Sequence, residues 1–290
     1  MKGKDKLREK LPDYQGWKIK ILVIIAIVIL SSSMIFQFLM DSLPRVYRSG
    51  EVFQILAPFT PIIGSTIVVS IGFLSVRKFW RIRDKYLSKF GVKAYQKAFK
   101  LVIIGIPMLF SVIIHSFFPT DLIMPYSVDD TLNRYLGVPI SELLVGFPVY
   151  ILYIRLILAI LFVGLGLLVI NRSLSFFGID YMALVYLFYP DESTLQNHKI
   201  YSILRHPTYH GLLMIGIGGI FFRFTIYSII YFFIFLVGIN IHIKFVEEKE
   251  LIQRFGEEYE KYMEDVPAFF VKLNDIKKYF YALCKFKKSF

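Results

Sequence analysis

Two polar clusters in the second half of the chain contain the residues best suited to chemistry. The first is the run RHPTYHG from Arg205 to Gly211, and the second opens with Glu247 and Glu248. An arginine offers a fixed cationic fork for a carboxylate or phosphate, and a histidine exchanges protons near neutral pH. Two glutamates can bind an ammonium group or ribose hydroxyls. One pocket with cationic and anionic sides suits a zwitterionic ligand that carries a ribose.

An apolar segment, residues 212–246, separates these two clusters. It is long enough for one helix to cross a bilayer and a second helix to return, because each crossing needs at least about 17 residues. Such a hairpin brings both clusters to the same face of the membrane. Pro207 disfavours a helical conformation at His206 and suits the first turn of a helix, where free amide groups favour an anion. The spacing therefore predicts a single site built from both clusters.

The composition indicates an integral membrane protein. Of the 290 residues, 56% are hydrophobic, and the mean hydropathy is +0.57. Soluble domains rarely reach these values. The formal net charge is +12, and the basic residues flank apolar runs, which favours contact with a lipid bilayer over nucleic acid. The single cysteine, Cys284, leaves no disulfide within the chain and no cysteine-based metal site.

The apolar runs predict an all-α fold with about six membrane-spanning helices. The predicted spans are Ile19–Met40, Val52–Val76, Leu101–Phe118, Leu143–Ile170, Tyr209–Phe222 and Thr225–Ile243. The last two form a C-terminal helical hairpin. Residues 1–142 then make an N-terminal set of membrane helices with a basic loop, and residues 143–290 make the core that carries both polar clusters.

The charges of the loops predict the orientation in the membrane. Segment Arg77–Lys100 is strongly basic, whereas segment Pro119–Glu142 is mainly acidic. Basic loops remain on the cytoplasmic side. With six spans, both termini and the pocket formed by the two clusters are therefore expected in the cytoplasm.

The ordered pattern as a whole resembles the isoprenylcysteine carboxyl methyltransferases and the related phospholipid methyltransferases, which are integral membrane enzymes. The resemblance covers roughly Leu161–Pro267. It comprises RHP-x-Y-x-G, the apolar hairpin, and EE-x-x-L-x-x-x-FG-x-x-Y-x-x-Y-x-x-x-VP. An upstream element, NR-x-x-S-x-x-G from Asn171 to Gly178, is similar to a segment of the family, and Tyr201 matches as well.

The resemblance implies S-adenosylmethionine as the methyl donor and a membrane lipid or a prenylated molecule as the acceptor. The positions it implies for cofactor binding are Ser193, Thr194, Leu195, Gln196, Tyr201, His206, Pro207, Thr208, Tyr209, Gly211, Glu247 and Glu248. The candidate catalytic residues are Arg205, His206 and Glu247. Arg205 would orient the site or meet an acidic group of the substrate. An amine or thiol acceptor would need a base, for which His206 or a glutamate is the candidate, whereas a carboxylate acceptor needs none.

Two positions depart from the family pattern. Lys199 stands where the family usually has a glycine shortly before the tyrosine, and Ile243 stands where carboxyl-methylating members have an arginine. The acceptor class, whether carboxylate, amine or thiol, therefore remains open. Three residues are candidates for contact with the substrate, namely Arg155, His242 and Lys244. For His242 the alternative is a hydrogen bond between helices. For Arg155 the alternative is a structural pair with a polar group on a neighbouring helix.

Two other functions remain open at this stage. Sterol-reductase-like enzymes that use NADPH share a similar C-terminal hairpin and an Arg-His-Pro pattern. The third hypothesis is a lipid-binding membrane protein without catalytic activity. The pair Glu247-Glu248 and the pattern FG-x-x-Y after it favour the methyltransferases over the reductases. The presence of nearly every motif position argues against a protein without catalysis.

Overall fold

The computed structural model describes residues 9–46, 51–118, 131–144, 148–178 and 181–284. Within these ranges all regular structure is helical, which confirms the predicted all-α class. Three acidic residues of the loop used to predict the orientation, Asp121, Asp129 and Asp130, lie outside the described part of the chain. The orientation of the protein in the membrane therefore stays a prediction.

The longer helices are numbered here in chain order. They are α1 (Ile19–Val46), α2 (Thr60–Arg81), α3 (Arg83–Phe90), α4 (Ala94–His115), α5 (Val149–Phe177), α6 (Pro207–Arg223), α7 (Ile226–His242), α8 (Glu248–Phe255), α9 (Glu257–Asp265) and α10 (Ile276–Cys284). Shorter helical segments lie at Glu51–Leu56, Thr131–Gly137, Ile140–Leu143 and Tyr186–Phe188. A π-helical turn, Ile243–Glu247, joins α7 to α8.

Five stretches of the described residues are long and apolar enough to cross a membrane. They are Gly16–Leu43, Thr60–Arg81, Arg83–His115, Val149–Phe177 and Ile226–Phe255. The second begins at Thr60 and not at Val52 as expected, because Pro61 occupies the first turn of the helix. Helix α6 has only 17 residues. At about 1.5 Å per residue it is about 26 Å long, slightly less than a hydrocarbon core of about 30 Å. The sixth crossing therefore stays a prediction.

The predicted C-terminal hairpin is present as α6 and α7. Phe224 adopts a left-handed conformation with φ of 58°, which ends α6. The next residue, Thr225, begins α7 with a capping box, in which its side chain accepts a hydrogen bond from the Ser228 amide. This tight connection makes the two helices antiparallel neighbours, so the residues before α6 and after α7 lie at the same end of the pair.

Helices α5 and α6 approach each other closely at glycines. A Cβ atom added to Gly166 would lie 2.5 Å from the carbonyl oxygen of Gly211. Gly218 faces the backbone of Ala159 in the same way, at 3.1 Å. Small residues permit such contact between membrane helices, where van der Waals packing supplies most of the attraction.

The N-terminal helices and the hairpin share one hydrophobic core. Val68 of α2, Val112 of α4, Leu213 of α6 and Ile239 of α7 are buried together. The division of the chain at residue 142 into two parts stays a prediction. Helices from both parts pack into this shared core.

A buried polar cluster also links the N-terminal helices to the hairpin. The carboxylate of Asp41 in α1 lies 3.1 Å from Nε2 of His115 in α4, with both side chains 2% exposed. The Tyr231 hydroxyl of α7 donates a hydrogen bond to the same carboxylate over 3.2 Å. A charge within a membrane helix needs such partners, so this cluster fixes the relative rotation of three helices.

We expect Gly166→Ala to destabilise the protein by about 1–3 kcal/mol, because the added methyl group forces α5 and α6 apart. Gly164→Ala is the matched control on the same helix, since nothing lies within 4 Å of its added Cβ. Thermal unfolding in detergent should show a lower melting temperature for the first variant and an equal or higher one for the control. Equal melting temperatures for both variants would contradict the close packing.

Candidate functional site

A cavity of about 270 Å³ lies where the two polar clusters meet. Its walls come from α4, α5, the segment before α6, the first turns of α6 and the helices after α7. Most of the predicted site residues line it, namely Thr194, Leu195, Gln196, Tyr201, Arg205, His206, Pro207, Thr208, Tyr209 and Glu247. The two clusters therefore form one site in the structure, as their spacing predicts.

The backbone joins the two clusters directly. The amide of Arg205 donates to the carbonyl of Pro267 over 2.9 Å, and the amide of His206 donates to Ala268 over 2.8 Å. Pro207 then starts α6 and leaves these two residues extended enough to pair. The backbone of the first cluster thus pairs with Pro267, the last residue of the motif that begins at Glu247, and with Ala268.

Glu247 is the centre of the buried polar groups. Its carboxylate accepts a hydrogen bond of 2.5 Å from the Tyr209 hydroxyl. Nδ1 of His206 lies 3.3 Å from one carboxylate oxygen, and Nε2 of His242 lies 3.4 Å from the other. All four side chains come from α6, α7 and the residues that flank them.

The π-helical turn explains how His242 and Glu247 meet. The amide of Glu248 bonds the carbonyl of Ile243 five residues earlier instead of the usual four. The wider turn places residues five apart on one side of the helix, and such turns are frequent at functional sites. His242 is therefore part of the buried cluster around Glu247.

The guanidinium of Arg205 forms hydrogen bonds with other groups of the protein. Its guanidinium donates to Glu248 over 2.6 and 3.1 Å, and to the carbonyls of Met263 and Val266 over 2.8 and 2.5 Å. Both bonds to Glu248 go to one carboxylate oxygen, and together with the carbonyl bonds they hold the end of α9 against the first cluster. Between the two roles expected for Arg205, the contacts match the orienting role.

His206 lies between the two carboxylates and is buried. Nε2 is 3.4 Å from Glu248, in addition to the contact of Nδ1 with Glu247. Burial alone would lower the pKa of His206, but the hydrogen bonds to both glutamates outweigh it and hold the pKa above its usual value of 6.5. The two glutamates therefore stabilise the imidazolium form of His206 relative to a histidine in water.

Three residues expected to bind cofactor lie beside the cavity and not in its lining. Ser193 receives a hydrogen bond from Arg254 over 3.0 Å. Gly211 packs against Gly166 of α5. Glu248 is engaged with Arg205 and lines a separate groove at the surface of α8. Each of the three thus contacts a residue of the protein outside the cavity lining or, for Glu248, the lining residue Arg205.

Two of the residues expected to contact substrate also lie elsewhere. The Arg155 guanidinium donates to Ser141 and to the carbonyls of Phe221 and Phe222 at the end of α6, over 3.0, 3.3 and 2.9 Å. This is the structural alternative, because an arginine caps carbonyls that a helix end leaves unpaired. Lys244 is exposed and lines the separate groove.

Hydroxyl groups form a chain behind the cavity that the sequence pattern did not reveal. The fully buried Ser173 of α5 lies 2.6 Å from the Tyr201 hydroxyl and 2.8 Å from that of Thr208. Both partners line the cavity. In the sequence, Ser173 appears only as a small polar residue within the upstream element Asn171–Gly178.

Aromatic and apolar residues complete the lining. Phe177 and Tyr186 come from α5 and the short helix after it, and Tyr259 and Tyr262 come from α9. The helical spacing of the second pattern could have placed the two α9 tyrosines. Nothing in the sequence pointed to Ile106 and Phe110, which α4 contributes from the N-terminal half.

Lys199 shows how the chain accommodates a departure from the family pattern. Its φ is 57°, in the left-handed region that favours glycine. Its ammonium lies 4.6 Å from the centre of the Phe176 ring. A cation–π contact of this kind offsets part of the backbone strain, so the turn before Tyr201 keeps a glycine-like shape.

The fold and the site together define a polytopic helical membrane protein with a buried carboxylate–histidine cavity at the ends of a hairpin. Residues 154–258 match the family model of phospholipid methyltransferases. The match confirms the resemblance for this part of the chain and supports a membrane methyltransferase. No curated protein and no solved structure shows significant similarity to the chain.

The raised pKa of His206 predicts how stability depends on pH. A group whose pKa is higher in the folded state adds stability that is complete below the unfolded value, here 6.5, and is lost as pH rises through the folded value. The melting temperature of the wild type should therefore exceed that of His206→Gln most clearly at about pH 6, and the gap should narrow towards about pH 9. His198→Gln changes an exposed histidine and is the control. A gap that widens with pH would refute the assignment.

Proposed function

We propose that the protein transfers a methyl group from S-adenosylmethionine to a lipid-like or prenylated acceptor. The observation that carries this proposal is the buried cluster of His206, Tyr209 and Glu247 in the wall of the cavity. That cavity lies mainly in the segment that matches the phospholipid methyltransferases.

The residues present fit the chemistry of the cofactor. The Glu247 carboxylate suits an ammonium or ribose hydroxyls, and the hydroxyls of Tyr201 and Thr208 add polar contacts. The rings of Phe177 and Tyr186 offer faces for a flat base or for a cation. When bound, S-adenosylmethionine would supply a methyl group already activated on a sulfonium sulfur.

The apolar side of the same cavity fits the acceptor. Ile106 and Phe110 of α4, Ile170 of α5 and Leu212 of α6 line it, and both α4 and α5 lie in stretches long and apolar enough to cross a membrane. A hydrocarbon chain would be removed from water on such a surface, at about 25 cal/mol for each Å² of apolar area buried. Lipid-like acceptors therefore match the site better than soluble ones.

The charges favour an amine-type acceptor over a carboxylate. Glu247 presents negative charge at the cavity, and the fork of Arg205 is taken by Glu248 and two carbonyls. A second carboxylate would meet repulsion from Glu247, because Arg205 and His206 of the described lining already pair with Glu248 and Glu247. An amine can donate a hydrogen bond to the Glu247 carboxylate.

Binding and transfer are measured separately. The purified protein in lipid nanodiscs should bind labelled S-adenosylmethionine with measurable affinity and should not bind NADPH. Membrane extracts incubated with the protein and a deuterated methyl donor should then contain a lipid that gains the label, detected by mass spectrometry. Binding of NADPH alone would favour a reductase, and binding of neither would favour a lipid-binding protein without catalysis.

Glu247→Gln should weaken the binding of S-adenosylmethionine by about tenfold or more, because hydrogen bonds to a charged group contribute about 1.5–3 kcal/mol. Glu257→Gln makes the same chemical change at an exposed site on α9 and should leave the affinity unchanged. Isothermal titration measures both. Equal affinity of Glu247→Gln and the wild type would remove Glu247 from the cofactor site.

His206→Asn should lower the turnover number by about 100-fold or more, within the range expected for loss of a residue that transfers or positions a proton. Single-turnover measurements at saturating S-adenosylmethionine separate this effect from binding. The same His198→Gln control should retain full turnover. Normal turnover with unchanged cofactor affinity in His206→Asn would exclude a role for this residue in the chemical step.

A further inference from the structure

The segment 186–196, called here the cavity-wall segment, forms the side of the cavity that no membrane helix supplies. Tyr186, Thr194, Leu195 and Gln196 all line the cavity. Apart from the short helix at its start and one 3₁₀ turn, the segment is a loop. A loop of this kind opens readily unless other residues tie it down.

Arg254 of α8 ties the cavity-wall segment at two points. Its guanidinium donates to the carbonyl of Tyr186 and to the hydroxyl of Ser193, each over 3.0 Å. The guanidinium also lies 5.6 Å from the centre of the Tyr186 ring. The Arg254 side chain is only 7% exposed, so these contacts are largely shielded from solvent.

Glu250 extends this contact to the N-terminal half of the chain. One oxygen of its carboxylate accepts from Arg254 over 3.1 Å and from Arg83 of α3 over 2.6 Å. Arg83 is 11% exposed, and its hydrogen-bond partners in the described structure, Asp84 and Glu250, lie outside the cavity lining. Because both arginines share one oxygen, Arg83 fixes the position of the carboxylate, and the carboxylate in turn fixes Arg254.

We propose that Arg83, Glu250 and Arg254 form a positioning chain through which the N-terminal helices hold the cavity-wall segment against α8. Arg83 lies outside residues 154–258, the segment that matches the methyltransferase family. The N-terminal helices thus control the shape of the cavity in addition to anchoring the chain. The effect on cofactor affinity rests on the proposed function, whereas the effect on the loop does not.

Hydrogen–deuterium exchange on the full-length protein in nanodiscs, without cofactor, tests the chain. In Arg83→Met, the amides of the cavity-wall segment should exchange about fivefold faster than in the wild type, a size typical of coupling between sites. Glu250→Gln should have the same effect, and Arg83→Lys should restore part of the protection. Arg83→Met is the deciding variant because Arg83 does not line the cavity, so its loss leaves the hydrogen bonds of Arg254 to Tyr186 and Ser193 in place.

The matched control is Lys93→Met in the same basic part of the chain. It removes an ion pair with Asp13 in which both side chains are about half exposed, so exchange in the cavity-wall segment should stay at the wild-type rate. Unchanged exchange in both Arg83→Met and Glu250→Gln would overturn the proposal. Faster exchange spread evenly over all helices would also overturn it, since that result assigns a general structural role.

Binding of S-adenosylmethionine adds a second readout. Arg83→Met should raise the dissociation constant about fivefold while leaving the turnover number at saturating cofactor close to that of the wild type. If the wild type binds no S-adenosylmethionine, the proposed function fails, and the exchange rates still decide whether the chain holds the segment. If exchange rises but affinity does not change, the chain does not govern the cofactor site.

Discussion

Two adjacent buried carboxylates dominate the structure of this protein. Glu247 and Glu248 lie where water is scarce, and an unpaired charge in that setting costs several kcal/mol. His206 and Arg205 supply the compensating charges from the other side of the hairpin. The ends of α6 and α7 must therefore meet, and the cavity forms around the groups that satisfy one another.

The network leaves different groups available for function. Arg205 and Glu248 are engaged mainly with each other and with backbone carbonyls, so they hold the site together. Glu247, His206 and Tyr209 combine such contacts with a position in the cavity wall. A site whose supporting groups are separate from its reactive groups keeps its geometry while protons or ligands change.

The N-terminal helices are part of this arrangement. Asp41 and His115 fix them against α7 through Tyr231, and α4 contributes Ile106 and Phe110 to the cavity. The matched segment, residues 154–258, contains the polar chemistry, but one apolar wall comes from outside it.

The sequence by itself determined the helical class, the hairpin and the meeting of the two polar clusters. Each of these depends on local properties, namely the length of apolar runs, the positions of prolines and the spacing of charged residues. Only the tertiary structure decided that Arg155 caps α6, that His242 joins Glu247, and that Lys244 faces away from the cavity. Those outcomes depend on how each helix is rotated about its axis, and the π turn at Ile243–Glu247 changes that rotation by one residue. An apolar pattern records which residues are hydrophobic, whereas the partner of a single polar side chain is set by the packing of distant helices.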